Sequence, residues 1–206
     1  MTKFSKSHKI VIHFIHKGVT MRLKIITVAL LAAVSLYAGN YKVDTSHSKV
    51  AFKIKHLMIS NVTGHFDEFK GTFQYDEKAG VLKALNGEVS VKSINTAVDK
   101  RDNHLRSADF FDVNKFPTMT LELIRANDQS VEANLTIKGI SKHILFEFEN
   151  GGSAIAPNGV KKAGFSMSAK INRADFGLTW NKALETGGVV VGDTVRISID
   201  IEGDAL

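Results

Sequence analysis

The stretch Thr96-Ala97-Val98-Asp99-Lys100-Arg101-Asp102-Asn103-His104-Leu105-Arg106-Ser107-Ala108-Asp109-Phe110-Phe111-Asp112-Val113-Asn114-Lys115-Phe116-Pro117 reads unlike its surroundings. To either side the chain alternates apolar and polar residues with a period of two. Here Val98, Arg101, Asp102 and Leu105 fall at i, i+3, i+4 and i+7, the helical period. It is a helical interruption in a β chain. Thr96 is placed to cap that helix with Asp99 three residues on, a pair resembling a capping box, and Pro117 cannot continue a helix. The acidic loop that follows carries Phe110 and Phe111 side by side. The segment is expected to close one end of a barrel made by the rest of the chain.

Outward from it, the alternation is regular. Val50, Phe52, Ile54 and His56 share one parity against Lys49, Ala51, Lys53 and Lys55. From Val62 to Tyr75 the apolar parity switches between Phe66 and Phe69, so a bulge near Asp67-Glu68 is expected to keep one inward face. Val81 to Ile94, Met119 to Leu123, Val131 to Lys138, Ile144 to Phe148, Ala163 to Ile171 and Val195 to Ile201 follow the same rule, with Asn150 to Gly159 a loop and Asn172 to Gly192 irregular. Each reads as a half-buried antiparallel strand. The fold class is therefore all-β. Eight such strands close as an up-and-down barrel or pair as a two-sheet sandwich. Large inward phenylalanines either fill such a barrel or line an apolar tunnel through it.

Charge separates the chain into two parts. The whole has 206 residues and a formal charge of +6, yet Lys3, Lys6, Lys9, Lys17, Arg22 and Lys24 are the only charged residues in 1–38. Without them 21 basic and 21 acidic residues remain, so the body has no net charge and gives no reason to expect a nucleic-acid partner. Met21-Arg22-Leu23-Lys24, the apolar run Ile25 to Leu36 and the small residue Ala38 read as a signal peptide cleaved before Gly39. Residues 1–20 are then an unused upstream start or a long n-region. Export to a periplasm is expected, with residues 39–206 as one domain. The apolar run is shorter than the roughly 20 residues a membrane helix needs, and no cysteine is present to carry a lipid anchor or a disulfide. No stable membrane insertion is expected after cleavage.

Three separated blocks give the chain a resemblance. Asp44-Thr45-Ser46-His47-Ser48-Lys49-Val50-Ala51-Phe52 opens it; Arg101 to Ser107, Asp109 to Val113 and Phe116-Pro117 follow; Asn172 to Leu178, Trp180-Asn181, Glu185 to Gly188 and Val191-Gly192-Asp193 close it. In this order and spacing the sequence resembles the YceI-like family of secreted, lipocalin-like proteins. The resemblance implies an eight-stranded lipocalin-like barrel holding a long polyisoprenoid, such as a polyprenyl quinone-like or phenol-like molecule, or a fatty-acid derivative, and it implies a possible homodimer.

Candidate ligand residues follow from pattern and resemblance together. Val50, Phe52, Ile54, Phe66, Phe69, Phe73, Leu121, Phe146, Phe165 and Met167 are the candidate wall, since an apolar tail is held by area, at roughly 25 cal/mol for each Å² removed from water. His47, His56, Arg101, Asp102, His104 and Arg106 are candidates to meet a polar head group. The alternative for Arg101 is a pair with Asp109 or Asp112 that fastens the closing segment, leaving His104 in solvent. Phe110, Phe111, Phe176 and Trp180 suit a plug or lid at the barrel mouth, or ordinary end-packing, and Leu57 and Met58 share that ambiguity. His47, His56 and His65 recur every nine residues, but an odd spacing reverses face at each step, so no metal site is expected.

No G-x-S-x-G elbow, H-E-x-x-H helix or glycine-rich phosphate loop is present. No catalytic residue and no cofactor are expected; the expected occupant is the lipid itself. An enzyme using His104 with Asp102 or His47, and a closed-core barrel that binds a partner protein in a stress response, are the alternatives to a carrier.

Overall fold

The computed structural model describes residues 38–185 and 187–206. The expected upstream start and leader, apart from Ala38, lie outside the described residues.

Eleven strands combine into eight staves. β1 (Ala38–Val43) and β2 (Lys49–His56) run one after the other along β11 (Val191–Ala205). β3 (Ser60–Phe66) and β4 (Phe69–Asp76) form the second stave, and β5 (Val81–Ser90) and β6 (Ile94–Asn95), joined by a 3-10 turn, form the third. β7 (Thr118–Ala126), β8 (Ser130–Ile137), β9 (Ile140–Ile155) and β10 (Lys161–Asn172) follow in hairpin order to β11, whose pairing with β1 closes the ring. The result is a closed eight-stranded antiparallel barrel. A sandwich would leave edges that closure removes.

The parity switch sits where the sequence places it. Asp67 and Glu68 both face solvent, so Phe66 and Phe69 both turn inward. The third stave bends beside it. Glu68 N donates to Ser93 Oγ at 3.0 Å and Asp67 N to Ser93 O at 3.2 Å, so the 3-10 turn Val91–Ser93 supplies partners to the backbone the kink leaves free. Two features differ from the sequence reading. β1 extends the first stave through residues that alternate only briefly, and β9 runs on into the expected Asn150–Gly159 loop. There Gly151 is a bulge: Gly164 pairs with Gly152 and Phe165 with Asn150, and a Cβ on Gly151 would lie 2.7 Å from Gly164 O.

The helix α1 spans Asp99–Arg106 and packs Leu105, with Phe110, Phe111 and Val113 of the loop behind it, onto the barrel end. Its N-cap is Val98, 45% exposed and without a side-chain capping bond, so the expected Thr96–Asp99 box does not form. Thr96 is buried and spent otherwise: its N–H donates to Asp102 Oδ1 at 3.0 Å, its hydroxyl donates to the same oxygen, and it receives Arg101 Nε at 2.7 Å. Arg106 fastens the other side, donating to Lys92 O at 2.8 Å and Ile94 O at 2.7 Å.

The core has two halves. At the end away from α1, Tyr41, Phe73, Tyr75, Phe146, Phe148 and Phe165 fill the barrel. Tyr41 stacks on Phe73 at 5.1 Å and Phe73 meets Phe165 edge-on at 5.2 Å. Near α1 the inward residues are just as apolar, but they are not packed to closure.

Candidate functional site

Inward parity predicts burial, and at the α1 end that prediction fails in one direction only. Val50, Phe52 and Ile54 of β2, Phe69 of β4, Val89 of β5, Leu121 of β7 and Val195, Ile197 and Ile199 of β11 all face inward yet remain partly accessible. They surround an apolar cavity of about 320 Å³. That lies within the roughly 300–1,000 Å³ typical of small-molecule pockets. Phe66 and Met167 complete the wall. Space is left because Gly71 and Gly87, paired across β4 and β5, present no side chain to it.

The polar groups sit at the mouth. Arg101 and His104 of α1 and His56 at the end of β2 line the cavity. His104 Nε2 lies 2.9 Å from Asp109 Oδ2, and its ring stands edge-on to Phe110 at 5.0 Å and to Trp180 at 4.9 Å. Trp180 is held from behind. Arg173, only 3% exposed, donates through Nη1 to Trp180 O at 2.9 Å and to Leu178 O, and through Nε to Gly192 O at 2.9 Å. Its charge meets Asp193 Oδ1 at 3.1 Å. This arrangement suits holding an apolar chain with one polar end.

The sequence comparisons agree with that architecture. The YceI-like domain model matches residues 41–203. The chain belongs to the YceI-like family. It is 40% identical to a UPF0312 protein of Staphylococcus aureus (strain bovine RF122 / ET3-1) over 165 residues, covering 79% of this chain and 96% of that protein. The crystal structure of the Campylobacter jejuni YceI protein is similar, with a TM-score of 0.64, 34% identity, and coverage of 74% of this chain and 90% of that one. A polyisoprenoid binding domain of Saccharophagus degradans, implicated in plant cell wall breakdown, shares the fold at a TM-score of 0.56 and 16% identity, over 81% of this chain and 98% of that one.

Within this YceI-like barrel the candidate residues divide. Val50, Phe52, Ile54, His56, Phe66, Phe69, Arg101, His104, Phe110, Phe111, Leu121, Met167 and Trp180 line the cavity. Phe73, Phe146 and Phe165 do not: they are 2%, 0% and 3% exposed in the filled half. Phe176 is 1% exposed and packs beneath the mouth, so it is end-packing and no lid. Asp102 is used on Thr96, and Arg106 on the carbonyls of Lys92 in the 3-10 turn and Ile94 in β6. Arg101 does not pair with Asp109 or Asp112, because Thr96 takes Nε and, through its carbonyl, Nη2 at 2.8 Å. His104 is 39% exposed, beside Asp109 at the rim of the cavity. His47, His56 and His65 stand apart: His47 beside Asp44 at 2.7 Å, His65 beside Asp67 at 3.0 Å, and His56 at the mouth.

Asp44, His47 and Glu202 do converge, but Lys162 Nζ sits 2.9 Å from Asp44 Oδ2 and 2.7 Å from Glu202 Oε1, a bound cation supplied by the chain. The sequence reading missed Arg173 and the Gly71–Gly87 pair. Arg173 carried a signal, since it lies inside the Asn172 to Leu178 block.

Proposed function

We propose that the protein is an exported, periplasmic carrier for a long-chain amphiphile, a polyisoprenoid of the polyprenyl quinone or phenol kind or a fatty-acid derivative. One observation carries the reading: the same barrel is filled with aromatic rings at one end and left open at the other, around a cavity walled by partly accessible apolar side chains. A protein needing only a closed core would have filled both halves. The resemblance to a polyisoprenoid binding domain and the expected leader support the ligand class and the compartment. Carriage needs no bond-making step.

In this reading the tail enters past Trp180 and Phe110 and runs between β2, β11 and the Gly71–Gly87 gap. Its polar end stays at His104 and His56. Native mass spectrometry of protein purified from its own cells, followed by solvent extraction, tests it. A discrete co-purifying mass in the lipid range, released by solvent, is expected. A bare polypeptide that acquires no mass from polyprenyl quinones or fatty-acid derivatives would overturn the carrier reading in favour of a partner-binding barrel.

A further inference from the structure

The outer face of β10, β11 and β2 breaks a rule of sheet stability. Lys170 stands directly opposite Arg196, and Arg196 directly opposite Lys53, so three cations occupy one row across three adjacent strands. Like charges so placed repel. Among the described residues none of the three, nor Lys55 next along β2, has an ion-pair partner within 4.0 Å. Of the nearby carboxylates, Asp67 meets His65, Asp193 meets Arg173, and Asp200, opposite Lys49 on β11, accepts from Ser166 Oγ at 2.7 Å. A cleft of about 520 Å³ beside the row is lined by Lys49, Lys53, His65 and Arg196 and by no carboxylate. The charge is complementary to something outside the chain.

A second feature lies at the end of the same strand. β2 leads into Leu57-Met58-Ile59, with Met58 57% and Ile59 82% exposed. Leu57 and Met58 both hold left-handed backbone, φ 50° and 62°, which side chains other than glycine rarely adopt. Leu57 N donates to Val190 O at 2.9 Å, tying this apolar tip to a residue that lines the cavity mouth. Val98, 45% exposed, starts α1 at the same end. At about 3.3 Å per residue, Lys55 lies about 3 Å and Lys53 about 10 Å along β2 from His56, the last strand residue before the tip.

We infer that this end of the barrel docks on an anionic lipid bilayer. The tip Leu57-Met58-Ile59 enters the interface, and Lys55, Lys53, Arg196 and Lys170 face the lipid headgroups. Apolar residues with cations along the adjoining strand are a composition that binds such an interface, shallowly and reversibly. The orientation turns the cavity mouth to the bilayer, so an apolar chain passes between the two without crossing water. That purpose rests on the carrier reading; the docking itself does not.

Flotation with vesicles of phosphatidylcholine alone, or with about one-third phosphatidylglycerol, tests the inference on the purified protein with no isoprenoid added. Binding to the anionic vesicles only, weakened by salt, is expected. Lys53→Glu with Arg196→Glu should weaken it by about tenfold or more, and Met58→Asn with Ile59→Ser should abolish it at unchanged melting temperature. No binding to anionic vesicles, or binding that either double variant leaves intact, would overturn the inference. Such a failure would leave a co-purifying lipid unexplained by docking but still present, so the two readings fail separately.

Discussion

Gly71 and Gly87 stand directly opposite one another on β4 and β5, both on the inner side of the wall. They differ in what a side chain would meet. A Cβ on Gly87 has only Leu121 Cβ nearby, at 3.9 Å from it, and Leu121 O at 4.0 Å, whereas one on Gly71 would lie 2.8 Å from Asn86 O. Gly87→Leu is therefore expected to fill the cavity and keep the fold, because glycine in a strand interior is itself destabilising. Its melting temperature should equal or exceed that of the wild type while co-purifying lipid disappears. Gly71→Ala should instead cost about 1–3 kcal/mol through overpacking, read by thermal unfolding.

Asp102 is the buried acceptor that turns the chain from β6 into α1. Replacing it with Ala leaves the Thr96 N–H and hydroxyl without their partner, at a cost of about 1–3 kcal/mol. A chain of this size loses about 2–4 °C of Tm for each kcal/mol. Arg101→Ala is expected to lower Tm in the same way with ligand retention unchanged, because Nε and Nη2 are already committed to Thr96. Loss of ligand at unchanged Tm would instead make Arg101 a head-group residue.

The two halves of the barrel should respond differently to truncation. Phe146→Ala, in the filled half, is expected to cost about 3–5 kcal/mol. Phe69→Ala, on a ring already in contact with open space, should cost less and leave lipid capture in place. Equal losses in denaturant unfolding would mean that the cavity is not open in solution.

These two phenylalanines also show what the sequence could say. A period of two assigns each to the inner face, and eight such runs are enough to place eight staves. Parity carries no information about height along the barrel axis, so Phe73, Phe146 and Phe165 read the same as Phe52, Phe66 and Phe69. Only packing separates filler from wall. The burial of Arg173, though not its place in a family block, was illegible for another reason: an arginine in a turn reads as solvated, and its burial follows from carbonyls of Leu178, Trp180 and Gly192 that meet only after the chain has folded. Thr96 followed the same logic, with a helix-capping pattern overridden by a buried aspartate six residues on.

Lys162 makes stability depend on pH. Its ammonium lies 2.9, 2.7 and 2.8 Å from carboxylate oxygens of Asp44, Glu202 and Asp204, which hold its own pKa above the usual lysine range. The His47 ring and then Lys162 hold the Asp44 carboxyl well below the usual range, so the unfolded chain takes up that proton more readily than the folded one. The stabilisation from Asp44 is present above about pH 4 and lost as pH falls toward the folded value. His47 has the opposite sign: Asp44 and then Glu202 raise its pKa, so its contribution is complete below about pH 6.5 and lost as pH rises through the folded value. Tm measured across this range should peak on the mildly acidic side. Lys162→Met should flatten the acid limb, and His47→Gln both limbs, since His47 is the larger cause of the lowered Asp44 pKa.

Trp180 is the single tryptophan of the chain and lines the cavity mouth. Its fluorescence therefore reports on occupancy directly. Titration with a polyprenyl quinone, whose ring quenches indole emission on contact, is predicted to give saturable quenching in the wild type and none in Gly87→Leu. Quenching that never saturates, or that the filled variant reproduces, would contradict the claim that a long-chain lipid occupies the open half of the barrel.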